Sequence, residues 1–281
     1  MKTALAIAGS DCSGGSGIQA DLKTMTMNGV FGMSVITALT AQNTTGISDV
    51  SHVSRQFLAE QLDAVLSDTR PDAVKIGMVT SKDHIDVIAQ KLQQYDAQNI
   101  VMDLVLISTS GRALISEEAL DTLTTELLQL ANVLTPNIPE AEVLADMDIN
   151  SDEDMETAAR KLHHLYGCAV VLKSGHHLPE NKDLLYNGGD MIWFRGLHGP
   201  KREGKKTPHG TGCTFSSAIA ANLAKGYPLE DAVRQARDYV EEALDAEFHP
   251  GQGVAVMNHA FRLEGPYSEE YQTEENTEEE A

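Results

Sequence analysis

Residues 4–23 read Ala4-Leu-Ala-Ile-Ala-Gly-Ser-Asp-Cys-Ser-Gly-Gly-Ser-Gly-Ile-Gln-Ala-Asp-Leu-Lys23 and indicate the class of fold. The first five residues are apolar and predict a buried strand, and the four glycines that follow predict a turn leaving that strand. The turn lacks the Gly-Lys-Ser/Thr signature, so we reject nucleotide binding of the Walker type. Its glycines still allow the backbone to approach a ligand closely.

The rest of the chain repeats this alternation of short apolar runs with longer segments of helical period. The predicted strands are Ala4–Ala8, Val35–Ala41, Ala73–Ile76, Ile100–Val105, Asn132–Thr135, Ala169–Lys173 and Met191–Phe194. The predicted helices are Gln56–Asp68, Asp152–Tyr166, Thr214–Lys225 and Leu229–Ala246. Such alternation is typical of βαβ units, so we predict an α/β fold with a mostly parallel central sheet and helices on both faces.

The chain has 281 residues, of which 42% are apolar, enough for one large core. We find neither an internal repeat nor a linker rich in proline and serine, so we predict a single domain over residues 1–265. Residues 266–281 are rich in glutamate and low in complexity, and we predict an acidic disordered tail there.

The charge and the cysteines exclude several classes of function. A formal net charge of −21 repels phosphate backbones and anionic lipid, so we expect neither nucleic-acid nor membrane binding. The three cysteines include no Cys-x-x-Cys pair, which fits neither a disulfide framework nor a zinc site. The apolar run near the start is too short for a signal peptide, and no run is long enough to span a bilayer. We therefore expect a cytoplasmic protein.

A second glycine turn, His209-Gly210-Thr211-Gly212-Cys213-Thr214, opens a predicted helix. Free backbone N–H groups and the helix dipole would make it an anion-binding site, and there the pKa of the Cys213 thiol would be lowered. The alternative is an ordinary glycine turn around a small buried residue, because Gly-x-Gly alone is a weak signal.

The carboxylates of Asp21 and Glu140 could each bind a ligand or serve only the folded structure. Asp21 could accept a proton or a hydrogen bond from a substrate hydroxyl, or it could be a solvated helix residue. Glu140, supported by Asn137, could hold Mg²⁺ through water, since magnesium keeps much of its hydration shell. Equally, Asn137 and Glu140 have the spacing of a helix N-cap and its partner.

Six segments together resemble one family of enzymes. The sequence resembles the bacterial hydroxymethylpyrimidine and phosphomethylpyrimidine kinases of thiamine biosynthesis, members of the ribokinase-like superfamily, from about residue 3 to residue 250, with the motifs in the family's order. The segments are Gly9-Ser10-Asp11, Gly-Ile-Gln-Ala-Asp-Leu-Lys-Thr at 17–24, Gly-Met-Ser-Val-Ile-Thr-Ala-Leu-Thr-Ala-Gln-Asn-Thr at 32–44, Lys75-Ile76-Gly77-Met78, Pro136-Asn137 with Glu140-Ala141, and the turn at 209–214.

The resemblance implies a three-layer ribokinase-like fold, a homodimer, and two successive transfers of the γ-phosphoryl group of ATP with Mg²⁺ as cofactor. The acceptors would be 4-amino-5-hydroxymethyl-2-methylpyrimidine and then its monophosphate. Cys213 stands where most sugar kinases of the superfamily carry an aspartate base, and Gly210, Thr211 and Gly212 would supply donors to the transferred phosphoryl group.

The resemblance also assigns residues to the two substrates. Gln42 would read the pyrimidine, because one carboxamide can accept from the exocyclic amino group while donating to the adjacent ring nitrogen. Asp103 would lie near the metal and the phosphates. The other residues of the pyrimidine pocket would be Gly9, Asp21, Met78 and Val105, and those meeting the nucleotide would be Lys173, Asn137 and His209.

The sequence departs from the family at two positions and leaves other functions open. Leu104 replaces a proline and Ser174 a glycine, which puts full activity or the usual nucleotide preference in doubt. The alternatives are a pyridoxal kinase, a catalytically silent pyrimidine-binding protein, and a redox role for Cys12 or Cys213. Pyridoxal has no amino and ring-nitrogen edge for the Gln42 carboxamide to bind. Basic residues at 201–206 could steer ATP, or could be a solvated hairpin tip.

Overall fold

A computed structural model describes residues 1–106, 115–175, 182–195 and 208–263. Their strands form one nine-stranded sheet of order β3-β2-β1-β4-β5-β6-β7-β8-β9. The strands β1 to β9 are Thr3–Asp11, Phe31–Asn43, Gly46–His52, Ala73–Ile76, Ile100–Met102, Val133–Leu134, Ala169–Lys173, Lys182–Tyr186 and Met191–Arg195.

The sheet is parallel at its centre and antiparallel at both sides. Every pair from β2 through β1, β4, β5 and β6 to β7 is parallel. β3 runs antiparallel to β2, while β8 and β9 continue from β7 as an antiparallel pair. The prediction of a mostly parallel central sheet is therefore confirmed.

Helices cover both faces of the sheet, as predicted. The helices α1 to α8 are Gly17–Met27, Arg55–Asp68, Lys82–Gln94, Glu117–Thr122, Ile138–Ala145, Asp152–Tyr166, Thr211–Ala224 and Leu229–Asp245. Along β1, Leu5 and Ile7 pack in the core shared with α2 to α6, whereas the alternate residues Ala4, Ala6 and Ala8 pack in the core shared with α1, α7 and α8. The alternation of strand side chains thus separates two hydrophobic cores.

Small residues bring α7 close to the middle of the sheet. Ala218, Ala220 and Ala221 of α7 are fully buried in the same core as the alanines of β1. Because each of these alanines carries only a methyl group, the helix can approach the strands closely where they meet. α7 contacts β1, β4 and β5, and Gly212 at its start lies beside Asp103, the residue that follows β5.

Several predicted boundaries differ from the structure. The patterns do not predict β3, whose residues are all exposed at the sheet edge, so neither face had to be apolar. They also miss β8, because Lys182 and Asp183 are buried there in ion pairs that interrupt the apolar run. β5 ends at Met102, before the predicted end at Val105. Helices α1, α3, α4 and α5 are further additions.

The prediction of one domain over residues 1–265 stays a prediction. The proposed acidic tail at 266–281 and the basic residues at 201–206 lie outside the described residues. Within the described ranges, no helix combines the length and the apolar composition needed to cross a bilayer.

Candidate active site

The candidate site lies where the strand order changes direction. β1 is the first strand in the chain, yet it lies between β2 and β4. The chain continues from β1 to β2 and β3 on one side of the sheet and then crosses to β4 on the other side of β1. Ligands of open α/β sheets bind beyond the carboxyl ends of the strands at such a point. The residues found there include Asp11 at the end of β1, Met78 after β4 and Asp103 after β5.

The N-terminus of α7 faces this edge without a side-chain cap. The helix begins at Thr211, and the residue before it, Gly210, has a φ of 87° and makes no side-chain capping hydrogen bond. The backbone N–H groups of a first helical turn have no partner within the helix, and the helix dipole gives them partial positive charge. An uncapped start of this kind is suited to an anionic group such as a phosphate.

A cation and a carboxylate lie directly opposite this helix start. A methyl group placed on Gly212 would be 3.6 Å from Lys173 Nζ and 3.7 Å from Asp103 Oδ1. Lys173 Nζ donates to the same Asp103 oxygen at 3.2 Å. Burial opposes the charge of Lys173, but Asp103 and Glu140 together raise the pKa of its ammonium group above the usual value. A permanent positive charge therefore lies beside the uncapped helix start.

Below this pair lies a fully buried ion pair that the sequence reading did not identify. Lys75 Nζ contacts both carboxylate oxygens of Asp21 at 2.9 and 3.0 Å, and both side chains have no solvent exposure. Ser217 Oγ donates to Asp21 at 2.8 Å, and Asp103 Oδ2 is 3.9 Å from Lys75 Nζ. The Asp21 carboxylate holds the pKa of Lys75 above its usual range despite burial. The alternative that Asp21 is a solvated helix residue is therefore wrong.

Glu140 and Asn137 form the helix cap that their spacing allowed. Asn137 Oδ1 accepts from the Glu140 N–H at 2.9 Å, and Glu140 Oε2 accepts from the Asn137 N–H at 3.0 Å. Glu140 is 2% exposed, and burial raises its pKa to about 7, against the opposing charge of Lys173. Capping leaves the magnesium interpretation open, because it occupies only part of the carboxylate's accepting capacity.

The thiol of Cys213 contradicts the expectation of a lowered pKa. Burial raises its pKa to about 11, although the charge of Lys75 and a backbone hydrogen bond from Gly17 act in the opposite direction. The nearby carboxylates of Asp21 and Asp103 raise it further. With a pKa raised in this way, the thiol is protonated at neutral pH.

On the other side of the site, Gln42 contacts the glycine turn. Its Nε2 lies 2.7 Å from His209 Nε2, and its Oε1 accepts from the Thr40 hydroxyl at 3.1 Å. His209 Nε2 is also 3.4 Å from Asp11 Oδ2. The structure thus brings two residues that the sequence reading had assigned to different substrates, Gln42 and His209, into direct contact.

The remaining predicted pocket residues lie near this edge of the sheet. Gly9 leaves room for Met78, since a methyl group on Gly9 would come within 2.9 Å of Met78 Cε. Val105 is half-buried two residues beyond Asp103. The structure thus brings Gly9 and Met78 into contact, and it places Val105 after the end of β5.

The two departures from the family pattern are both buried. Leu104 packs into the core with 4% exposure. The Ser174 hydroxyl accepts a hydrogen bond from the Lys182 N–H at 3.1 Å, so it is bound to the neighbouring strand β8. Its effect on nucleotide use stays a prediction.

Several residues of the site that the sequence does not single out make their contacts with residues distant in the chain. Lys75 stands inside a recognised motif, and a charged residue in the middle of an apolar strand was the signal that could have drawn attention to it. Asp11 belongs to the motif Gly9-Ser10-Asp11. Ser217 and Thr135, whose hydroxyl lies 3.4 Å from Asp103 Oδ1, carried no such signal.

The two glycines at the start of α7 are expected to respond differently to alanine. Gly210→Ala should lower the free energy of unfolding by at least about 2 kcal/mol, because the left-handed φ is strained for alanine and its methyl group would collide with the carbonyl oxygen of Gly15. Gly212→Ala should fold normally, since its contacts are at ordinary van der Waals distances. It should nevertheless lower kcat/KM for ATP about 10- to 100-fold by occupying the space before Lys173.

Urea denaturation and steady-state kinetics of both variants test this difference. A Gly212→Ala protein with full activity would show that the phosphates do not approach this part of the helix.

The raised pKa of Cys213 predicts its reactivity. In a Cys12→Ser background, the rate of Cys213 alkylation by iodoacetamide should rise about tenfold per pH unit between pH 7 and 9, because only the thiolate reacts. Peptide mass spectrometry measures the rate. A plateau below pH 8 would indicate a thiolate at neutral pH and would contradict the raised pKa of Cys213.

Comparison with known proteins identifies relatives along most of the chain. Residues 11–258 match the model of the phosphomethylpyrimidine kinase family. The chain is 46% identical to the thiamine biosynthesis bifunctional protein ThiED of Geobacter sulfurreducens over 92% of its own length, and it spans about half, 52%, of that protein. It is 42% identical to the hydroxymethylpyrimidine/phosphomethylpyrimidine kinase of Bacillus subtilis, covering 92% of this chain and 95% of the relative.

Solved structures agree with these relatives. The phosphomethylpyrimidine kinase of Clostridium difficile 630 superposes with a TM-score of 0.78 at 40% identity, covering 86% of this chain and 99% of the other. An ADP complex of Bacillus subtilis pyridoxal kinase superposes with a TM-score of 0.83 at 34% identity, covering 92% and 98%. The predicted resemblance and the ribokinase-like fold are both confirmed. This chain is a kinase that belongs to the phosphomethylpyrimidine kinase family.

Proposed function

We propose that this kinase transfers the γ-phosphoryl group of ATP to 4-amino-5-hydroxymethyl-2-methylpyrimidine and then to the resulting monophosphate, in thiamine biosynthesis. One observation carries the proposal: the uncapped start of α7 faces Lys173 and Asp103 at the carboxyl edge of the sheet. Phosphoryl transfer depends chiefly on positioning and on neutralising charge, which donors and a fixed cation supply.

In the first transfer, the hydroxymethyl oxygen forms a bond to the γ-phosphorus as the bond from that phosphorus to the β,γ-bridging oxygen breaks. ADP leaves, and the hydroxyl proton passes to an oxygen of the transferred phosphoryl group, which exchanges it with water. Gly210, Thr211, Gly212 and Cys213 surround the transferred group in this proposal. Because the Cys213 thiol is protonated at neutral pH, we assign it to the wall of the acceptor site, and the proton leaves late, as a loose transition state allows.

The acceptor is proposed to lie between Gln42 and the ends of β1 and β4, against Gly9 and Met78, with Val105 at the far side. The carboxamide of Gln42 matches the amino group and ring nitrogen of the pyrimidine. Asp21 contributes by holding Lys75 rather than by touching the substrate, since its side chain has no solvent exposure and both carboxylate oxygens contact Lys75.

The nucleotide phosphates are proposed to meet Lys173 and the region of Asn137. Among the described residues, no three His, Cys, Asp or Glu side chains are grouped to hold a metal ion by themselves. Magnesium bound with ATP does not need such a cage, because it takes one or two carboxylates, water and phosphate oxygens. Asp103 and Glu140 fit that requirement, and Mg²⁺ there would neutralise phosphate charge.

Pyridoxal kinase activity is the second candidate, favoured by the superposition on pyridoxal kinase described above. Pyridoxal lacks the amino and ring-nitrogen edge that a carboxamide matches, so binding it would leave Gln42 partly unpaired. A site built to make such hydrogen bonds discriminates strongly against a ligand without them.

We also propose a homodimer in the cytoplasm, without nucleic-acid or membrane partners. Leu39 of β2 and Ile47 of the edge strand β3 are 51% and 56% exposed, and an exposed apolar edge strand supports association with a second copy. Light scattering on the purified protein, compared with an Ile47→Lys variant, tests the dimer. A monomeric wild-type protein would contradict it.

The activity is tested by measuring ADP production with Mg-ATP and, separately, the hydroxymethylpyrimidine, its monophosphate and pyridoxal. We expect turnover with both pyrimidines and a kcat/KM for pyridoxal lower by orders of magnitude. Turnover with pyridoxal alone would establish the second candidate. Pyrimidine binding without ADP formation would identify a silent binding protein, and Leu104→Pro and Ser174→Gly would then be the reversions to make.

A further inference from the structure

The carboxamide of Gln42 can take two orientations that differ by a half-turn. Its backbone is held on both sides by Cys12, whose Sγ donates to the Gln42 carbonyl at 3.1 Å and accepts from the Gln42 N–H at 3.3 Å. A half-turn of the terminal amide exchanges its oxygen and nitrogen without moving other atoms. The neighbours of the amide therefore determine which atom faces which side.

The first neighbour of the amide is Thr40, whose hydroxyl can either donate to Gln42 or accept from it. Its hydroxyl lies 3.1 Å from Gln42 Oε1 and also 3.1 Å from the carbonyl oxygen of Ser10. A hydroxyl has one hydrogen, so it can donate to only one of these oxygens. If the amide turns its NH₂ toward Thr40, the hydroxyl can donate to Ser10 and accept from Gln42, and both contacts are satisfied.

The second neighbour, His209, is constrained by a carboxylate. Its Nε2 lies 2.7 Å from the Gln42 amide and 3.4 Å from Asp11 Oδ2. Asp11 is 3% exposed, and although burial opposes its charge, hydrogen bonds from His209, Ser13 and Ser16 hold its pKa below the usual range. An ionised carboxylate attracts a hydrogen on Nε2 and repels a lone pair there. The single Nε2 hydrogen is shared only weakly with the carboxylate at 3.4 Å, and the shorter contact of 2.7 Å leaves it to donate to an oxygen of the Gln42 amide.

Asp11 is itself held firmly. Its two oxygens accept from the backbone N–H and the hydroxyl of both Ser13 and Ser16, at 2.7 to 3.0 Å. The His209 backbone is anchored as well, because its N–H donates to the Ala255 carbonyl at 2.9 Å. The carboxylate and the ring therefore meet Gln42 from two fixed segments of backbone.

From these contacts we infer that His209, oriented by Asp11 with a proton on Nε2, is a positioning residue that turns the Gln42 oxygen toward itself and the Gln42 NH₂ toward Thr40. The inference rests on the proposed function for its consequence. The second lone pair of the oxygen then receives the exocyclic amino group of the pyrimidine on the His209 side, and the second N–H meets the ring nitrogen on the Thr40 side. The pair thereby fixes the orientation of the acceptor.

The ring protonation is measured first, without any substrate. In protein labelled with ¹⁵N-histidine, with the His209 signal identified by its loss in His209→Gln, the Nε2 shift should be that of a protonated nitrogen. A deprotonated Nε2 would overturn the inference. This measurement stands even if no pyrimidine is phosphorylated, so failure of the proposed function is distinguishable from failure of the inference.

A double-mutant cycle then tests the consequence for the acceptor. His209→Phe keeps a ring but removes the donor, and should lower kcat/KM for the hydroxymethylpyrimidine about tenfold, with KM for ATP unchanged. His209→Gln, which can donate from a similar position, should recover most of this loss. In a Gln42→Ala background, His209→Phe should have no further effect on the acceptor.

Two results would overturn the assignment. The same loss on His209→Phe with and without Gln42 would show that the ring does not act through the carboxamide. A raised KM for ATP with an unchanged pyrimidine kcat/KM would place His209 at the nucleotide, as the sequence reading expected.

Discussion

Replacing Lys75 by methionine is expected to lower the free energy of unfolding by about 3–5 kcal/mol. Methionine has nearly the same length, but among the described residues it leaves Asp21 with only Ser217 as a hydrogen-bond donor from a side chain. An unpaired carboxylate with no solvent exposure is among the most destabilising changes in a protein interior. Urea denaturation at pH 7 measures the loss.

A second variant separates the effect of charge from that of packing. Lys75→Met with Asp21→Asn removes both charges and should recover a substantial part of the lost stability, because no uncompensated ion remains. Lys91→Met is the matched control: Lys91 pairs with Asp63 between α2 and α3, where Asp63 is 42% exposed, so the change should cost about 1 kcal/mol or less. A Lys75→Met protein as stable as this control would contradict the buried pair.

Replacing Lys173 by methionine is expected to lower kcat about 100- to 1000-fold. Its ammonium group is the cation opposite the uncapped start of α7, and charge developing on the transferred phosphoryl group would lie between them. Steady-state ADP production with saturating pyrimidine and ATP measures the effect. Lys91→Met serves again as the control and should retain full activity, because it lies between helices away from this edge of the sheet.

Lys173→Arg distinguishes charge from geometry. It keeps the positive charge but changes its shape, so an intermediate loss is expected. If Lys173→Met lost activity and also lowered the free energy of unfolding by as much as Lys75→Met, Lys173 would instead serve mainly to neutralise the charges of Asp103 and Glu140. Nearly full activity in Lys173→Met would remove this lysine from the phosphate site.

The class of fold follows from local patterns in the sequence. Three predicted elements coincide with the observed ones: Ala73–Ile76, Ala169–Lys173 and Asp152–Tyr166. Residues that favour turns or helix caps lie at their ends, such as Gly77 after the first and Ser151 and Gly167 around the last. The cap of Asn137 and Glu140 is also local, since its atoms are three residues apart in the chain. Periodicity and capping act over a few residues, and the chain needs no distant partner to express them.

The burial, charge and pKa of the site residues depend on partners that are far away in the chain. Asp21 is a buried ion only because Lys75, 54 residues later, is brought against it. The pKa of Cys213 is raised because its thiol is desolvated beside Asp21 and Asp103, whereas its position at a helix start alone predicts the opposite. Gln42 and His209, 167 residues apart, meet only in the folded protein. Burial and pairing of charges are properties of three-dimensional packing, so they appear only when distant segments are assembled around the carboxyl edge of the sheet.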